Sequence, residues 1–367
     1  MAKIFSKEQV NRDRQIELDL AKCLAIIFMI FLHCLFVTTG FKHDISVPMT
    51  RAIQQLLGGP FAAPVFMFAM GVGFVYSKNQ KPFYLISRGI KIMLLGVAVN
   101  IGEFFIPHFL TYELLGKKQS QVFPIAEGML LFCVDILAFA GLSMITIGIF
   151  KKLKLKSWHI VIIAVVLSVI GSFVRFYDFK GNLLDLLTGY FIGSARGFTA
   201  FPLFNGFIFP AVGMLFGELY IRCSNKKKLF CLSPLALVVS ITYFVATWFI
   251  PNGFLSGDIH YYYFMTTIDA VFCLICVYGV IGLCYFISLI LPNSIKTFVS
   301  KTSGNLNTIY IIQWFIIPIT YILICYCNRN VKFNDISLII IAIIEIVVCI
   351  AIAAGYKYVL KKGNGEK

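Results

Sequence analysis

The chain has 367 residues, 59% hydrophobic and only 13% charged, with a formal net charge of +15 and a mean hydropathy of +0.86. Its apolar runs repeatedly exceed the roughly 20 residues that cross a bilayer, which excludes a water-soluble domain; being long and unbroken rather than short and alternating, they also exclude a transmembrane β-barrel. The surplus of lysine and arginine falls in short clusters between those runs, as in cytoplasmic loops, so nucleic acid is excluded as a partner.

Residues 1–15 carry Lys3, Lys7, Arg12 and Arg14 with no small-residue cleavage site after the first apolar run, and read as a cytoplasmic tail before an uncleaved first span. Spans are predicted near residues 16–39, 53–76, 84–105, 128–150, 158–176, 201–221, 230–251, 262–291, 306–326 and 333–360. The fold class is therefore all-α: a polytopic membrane bundle of about ten helices, with one transmembrane domain over residues 16–360 and a tail at 361–367. With the N-terminus inside, 22 Lys and Arg fall on inner segments and 9 on outer ones, and Lys22 within the first span completes the 32. That alternation predicts both termini in the cytoplasm and a multi-pass protein of the cell membrane, the inner membrane in a bacterium.

The first span carries an acid, an amine and a histidine where ionisable groups cost kilocalories. Lys22 and His33 are eleven residues apart, about three turns, so they share one face about 16 Å apart along the axis, and Asp19 joins them one turn earlier. This stripe must face protein or water rather than lipid. An acid–amine pair locking the bundle, with a packed histidine, is the bland account of the same residues.

Further along, Arg88 and Lys91 sit one turn apart at the inner end of the third span, with Asn100 further out. Residues 103–123, with Glu103, His108 and Glu113, and 177–200, with Asp178, Asp185 and Arg196, read as outer loops longer than connectors need, the kind of segment that often carries acceptor specificity, although each named residue taken singly reads as ordinary solvated loop. Glu127 and Asp135 fall at the start of the fourth span and within it; Asn305, Asn307 and Gln313 open the ninth. Glu218, Asp269 and Glu345 read as helix-pairing hydrogen-bond partners, and Tyr261, Tyr262 and Tyr263 as an outer interfacial belt. The eleven cysteines lie mostly in apolar segments and read as small core residues; Cys273 and Cys276 have CxxC spacing but no second pair or nearby histidine, so no metal is expected.

Cations near the cytoplasmic face with imidazoles deeper in suit a polyanionic donor such as acyl-CoA: Lys22, Arg88 and Lys91 would take its phosphates and its thioester would lie toward His33. A histidine can take the proton of an acceptor hydroxyl or amine as it attacks the thioester, directly or through an acyl-imidazole. Lys22 and Arg88 have snorkelling at the inner interface as a competing account.

The first span, with Asp19, Lys22 and His33, resembles the opening of the acyltransferase-3 family of membrane acyltransferases, in which an arginine, ten residues and a histidine recur; here Lys22 stands for the arginine and loses its bidentate fork. Pro64-Val-Phe-Met-Phe-Ala-Met-Gly71 and Phe41-Lys42-His43 resemble the PWFVFIMG and YFKH segments of the heparan-α-glucosaminide N-acetyltransferase family, in which that histidine is regarded as catalytic. Arg88 with Gly96 and Asn100, Asp135-Ile-Leu, and Gly304-Asn305-Leu-Asn307-Thr-Ile-Tyr310-Ile-Ile-Gln313 resemble later family segments, with Gln313 where a histidine is common. The resemblance covers the first half of the chain well and residues 177–293 hardly at all. It implies a bundle that acylates a far-side acceptor from cytoplasmic acyl-CoA, acetyl-CoA first among candidates. His33 and His43 become the expected catalytic pair, one as base and one as orienter; Lys22, Arg88 and Lys91 the expected donor-binding residues; Asp19, Asn100, Asp135, Asn305, Asn307 and Gln313 a supporting polar cluster. The expected partners are acyl-CoA, a glycan or lipid-linked sugar acceptor, the lipid bilayer and, as an open alternative, a second copy in a homo-oligomer. The rival readings are a transporter or flippase for a small anion or lipid-linked sugar, and a non-catalytic sensor subunit.

Overall fold

The structure, a computed structural model, describes residues 4–40, 45–46, 48–116, 131–177, 182–193, 199–256 and 259–363. In chain order the helices are α1 (Ile16–Gly40), α2 (Pro48–Gly58), α3 (Ala63–Tyr76), α4 (Pro82–Asn100), α5 (Ile106–Leu115), α6 (Ile136–Lys152), α7 (Ser157–Val174), α8 (Asn182–Ile192), α9 (Leu203–Gly206), α10 (Ile208–Tyr220), α11 (Lys226–Leu229), α12 (Ser233–Trp248), α13 (Ile259–Tyr263), α14 (Thr267–Ile290), α15 (Asn293–Ser303), α16 (Leu306–Cys327) and α17 (Asp335–Gly363). Among the described residues nine helical stretches are long and apolar enough to cross a membrane. α6, with 17 residues and a length of about 25 Å at 1.5 Å per residue, occupies the one remaining predicted place, that of the fourth span. The protein is an all-α polytopic bundle.

Contacts between connecting segments join those that the charge pattern assigns to the same side. At the charge-rich end, Ser6 N–H donates to Arg222 O at 2.8 Å, Lys226 Nζ lies 2.6 Å from Glu17, and Lys151 reaches Gln80 at 3.4 Å. At the other end a two-residue strand, β1 (Ile45–Ser46), pairs in parallel with β2 (Phe333–Asn334). There too Ala200 N–H donates to Val134 O at 2.8 Å, and Arg175 donates to Phe264 O at 3.0 Å.

Small residues set the closest helix crossing. α3 lies against α10 with Gly71 facing the Pro210 carbonyl, where an added Cβ would come within 2.1 Å. Without a hydrophobic drive between helices in lipid, such backbone approach is what holds a bundle. Glu218 and Asp269 behave as the sequence suggested. Glu218 accepts from Ser157 at 2.5 Å; Asp269 accepts from Tyr243 at 2.6 Å and closes a capping box with Thr266.

The third span differs from its prediction. The helix does not end near residue 105: α4 runs through a π-helical turn, Ile101–Phe105, into α5, making one apolar stretch Pro82–Leu115 of 34 residues. Pro107 accounts for the turn, because its ring would meet the carbonyl four residues back, that of Glu103, and has no N–H to offer it. Glu103 and His108, expected as solvated loop, are buried inside this helix. Residues 177–200, also expected as loop, contain α8.

Candidate active site

Two cavities lie end to end along α1. The inner one, of about 390 Å³, is walled by α1, α3, α4, α6 and α16 and lined by Lys22, Arg88, Ser303 and Asn307 among apolar side chains. The second, of about 30 Å³, is lined by His33, Glu103, Asp135, Tyr310 and Trp314, with Phe201, Tyr262 and Tyr263 on its far wall. Met29, Ile136 and Tyr310 line both. The eleven-residue spacing on α1 thus places Lys22 on one cavity and His33 on the other.

Asp19 fixes the inner end. Its carboxylate lies 3.0 Å from Lys22 Nζ and accepts from Ser303 at 2.6 Å and Ser300 at 3.3 Å, and from the Arg14 guanidinium. One buried acid thereby joins the N-terminal segment, α1 and α15, and holds the Lys22 ammonium, which stays partly exposed, at the cavity wall. A single partner would leave a buried carboxylate under-compensated; four donors satisfy it.

Around His33 the surroundings are aromatic. The imidazole stacks on Trp314 with ring centroids 4.0 Å apart and planes at 30°, and meets Tyr310 edge-on at 6.4 Å. Gln313, fully buried, is the polar side chain beside it, and His33 Nδ1 has no hydrogen-bond partner among the described residues. Tyr310 O–H donates to Asp135. Asp135 is held in turn by its own chain segment: Asn100 donates at 2.9 Å to the carbonyls of both Leu131 and Cys133, and Val134 is bridged to Thr199. α6 begins after Asp135, which is extended and not within the helix as predicted.

Two prolines in the helices lining this chamber act on it. Pro107 leaves the carbonyl of Glu103 without its helical donor, and Pro318, inside α16, does the same to Trp314. Gly102 lets the π-helical turn lie against α16, where an added Cβ would come within 2.7 Å of the Phe315 ring. The chamber is therefore built at two deliberate irregularities, the kind of helix defect found at functional sites.

The expected residues are brought together unevenly. Lys22, Arg88 and Asn307 line the inner cavity and His33 and Asp135 the chamber; Asp19, Asn100 and Gln313 support them from behind. Lys91 is exposed and is not among the walls of either cavity, and neither is Asn305, which precedes α16. His43, Phe41, Lys42, Glu127, Asp178 and Arg196 lie outside the described residues. Tyr262 and Tyr263 correct their reading as an interfacial belt: Tyr262 is 6% exposed, donates to Gly59 O at 3.0 Å, and both line the chamber. Glu103 was expected as solvated loop, Tyr310 entered only within a family-like segment, and Trp314 was not singled out. Glu103 lies three residues beyond Asn100 and would have shared its face had the helix been read through Pro107.

No group of three or more metal-ligating side chains occurs among the described residues, and Cys273 and Cys276 are buried in the bundle core. What the arrangement can do chemically is bind an anion at Lys22 and Arg88 and present an imidazole three helical turns away among aromatic side chains. No curated protein and no solved structure matches the chain. A family model described as an acyltransferase domain matches residues 15–355, which takes in every cavity-lining residue named above. The chain belongs to the acyltransferase-3 family and is a membrane acyltransferase.

Proposed function

We propose that this protein transfers an acetyl group from cytoplasmic acetyl-CoA to a hydroxyl or amine of a sugar or cell-surface glycan on the far side of the membrane. The observation that supports the reading is the adjacency of the two cavities, which share Met29, Ile136 and Tyr310 as walls. A donor whose phosphates sit at Lys22 and Arg88 would direct its thioester toward His33. The chamber is much smaller than the inner cavity, about 30 Å³ against about 390 Å³, which is in keeping with a short acyl group.

In the chemistry proposed, the acceptor O–H or N–H is deprotonated by His33 as its heteroatom attacks the thioester carbonyl. The C–S bond then breaks and the proton passes to the departing CoA thiolate, so that acceptor and acetyl-CoA give acetylated acceptor and free CoA. The stacked Trp314 and the neighbouring Gln313 would fix the imidazole plane. His43, carried by its resemblance to a catalytic histidine, is the proposed second histidine. Lys91 would add to the positive potential outside the cavity rather than touch the donor.

The test is acetyl-CoA binding and CoA release by purified protein in nanodiscs made with lipids of the native cell, for wild type, His33→Ala and His43→Ala. Binding by all three with release lost in a histidine variant is expected. Absence of acetyl-CoA binding by wild type would sink the donor assignment.

A further inference from the structure

The chamber holds a carboxyl group to which the transfer chemistry assigns no part. Glu103 is 6% exposed, sits on the π-helical turn of the third span and lines the chamber with His33. Its neighbour Asp135 already accepts from Tyr310, whereas Glu103 Oε2 is buried with no hydrogen-bond partner among the described residues. A buried carboxyl oxygen without a donor is costly unless a ligand supplies one. Glu103 and His33 are walls of the same chamber, so a group held there has both beside it.

The chamber's electrostatics are one-sided. Its walls carry two carboxyl groups, and among the described residues that line it there is no lysine or arginine. An anionic substituent next to the reacting group would meet two acids with no cation to compensate its lost hydration. A hydroxyl or amine brings the donor that Glu103 lacks.

We propose that Glu103 binds the acceptor. Its carboxyl accepts a hydrogen bond from the hydroxyl or amine that is acylated, and with Asp135 it restricts the enzyme to acceptors that are neutral or cationic around that group. The inference rests on the acyl-transfer reading above. Glu103 takes no proton in the reaction: the acceptor proton goes to His33 and on to the CoA thiolate, and the carboxyl orients the attacking heteroatom.

The experiment uses the full chain in nanodiscs with acetyl-CoA and three small probe acceptors that share a primary hydroxyl: ethylene glycol, ethanolamine and glycolate. Acetyl-CoA binding and CoA release are measured for wild type and Glu103→Gln. In wild type, ethylene glycol and ethanolamine raise CoA release above the water background and glycolate does not. In Glu103→Gln, acetyl-CoA binding is kept, the KM for ethylene glycol and ethanolamine rises about tenfold, and the discrimination against glycolate narrows. A merely structural role would lower all probe rates together and leave their ratios unchanged, which would overturn the assignment. Equal responses of wild type to the three probes, including none to any, would overturn it as well, and that result stands even if Glu103→Gln does not fold. Failure of wild type to bind acetyl-CoA would instead bring down the donor assignment of the reading above.

Discussion

The inner cavity and the His33 chamber are built from opposite materials. The inner one is roomy and edged by cations, with Lys22 tied to a four-donor acid and Arg88 exposed at the wall. The chamber is small, aromatic and acid-lined, with Glu103, Asp135 and Tyr310 buried and His33 half-buried. Charged groups that keep contact with water can change partners at little cost, as a site that must admit and release a polyanion requires. Buried groups that cannot be re-solvated hold one geometry, which is what acid–base chemistry needs. Substitutions in the chamber should therefore act on turnover, and substitutions in the inner cavity on donor affinity.

The widest separation is expected at His33. His33→Ala should lower the rate of CoA release by about 10²- to 10⁴-fold, the usual contribution of a positioned base, with acetyl-CoA affinity within about twofold of wild type. Equilibrium binding beside steady-state turnover checks it, and a variant that loses binding and turnover in proportion would erase the distinction between the two regions. Gly102→Val tests the chamber's shape without touching its chemistry. An isopropyl group against Phe315 has to push the π-helical turn from α16, and a shift of about 1 Å at a reacting geometry can cost about 10²-fold. The expected result is a protein that binds acetyl-CoA and turns over about 10- to 100-fold slower; an unaltered rate would show that the π-helical turn does not set the site.

In the inner cavity the effect should move to KM. Arg88→Ala removes a cation from the wall, and a charge-assisted contact to phosphate corresponds to about tenfold in affinity. Acetyl-CoA KM should rise by about that factor with kcat nearly kept, and the loss should shrink when the donor is 3′-dephospho-CoA acetylated on sulfur, if Arg88 meets the 3′-phosphate. A fall in kcat at saturating donor would instead place Arg88 in the chemistry.

How much of this could be read from the chain depends on what each residue costs where it stands. Asp19, Lys22 and His33 were legible because ionisable groups inside an apolar span demand an explanation, and helical spacing put them on one stripe. The alternation of lysine and arginine was legible for a similar reason, and segments assigned to one side do meet there: Ser6 with Arg222, Ile45 with Phe333. Glu103 was not legible, because Pro107 reads as the end of a helix, whereas the chain passes it through a π-helical turn that the packing of Gly102 against Phe315 accommodates. Tyr262 and Tyr263 were hidden for another reason. Composition at a membrane boundary is the same for an aromatic belt and for an aromatic wall, and only the burial of Tyr262 against Gly59 separates them. Asn100 was placed in the polar cluster, but its work is local: it pins the segment that carries Asp135.

The smallest effect is expected at Lys91, and it sharpens the contrast between touching the donor and merely sharing its side of the membrane. Lys91 lies three residues beyond Arg88 on α4 yet is exposed and lines neither cavity. Its charge therefore reaches a bound donor only across solvent, where the screening length is about 8 Å at physiological ionic strength. Lys91→Ala should change acetyl-CoA KM by less than about twofold at 0.15 M salt, the scale of an exposed charge interaction. At about 0.01 M salt, where screening weakens to about 30 Å, the difference from wild type should grow, and it should appear in the association rate rather than in dissociation. Arg88→Ala should keep most of its penalty at both salt concentrations, because a direct contact is screened far less. Stopped-flow association of a fluorescent acyl-CoA at the two ionic strengths separates the residues. A salt-independent, tenfold loss in Lys91→Ala would mean that the donor extends beyond the inner cavity along the exposed face of α4.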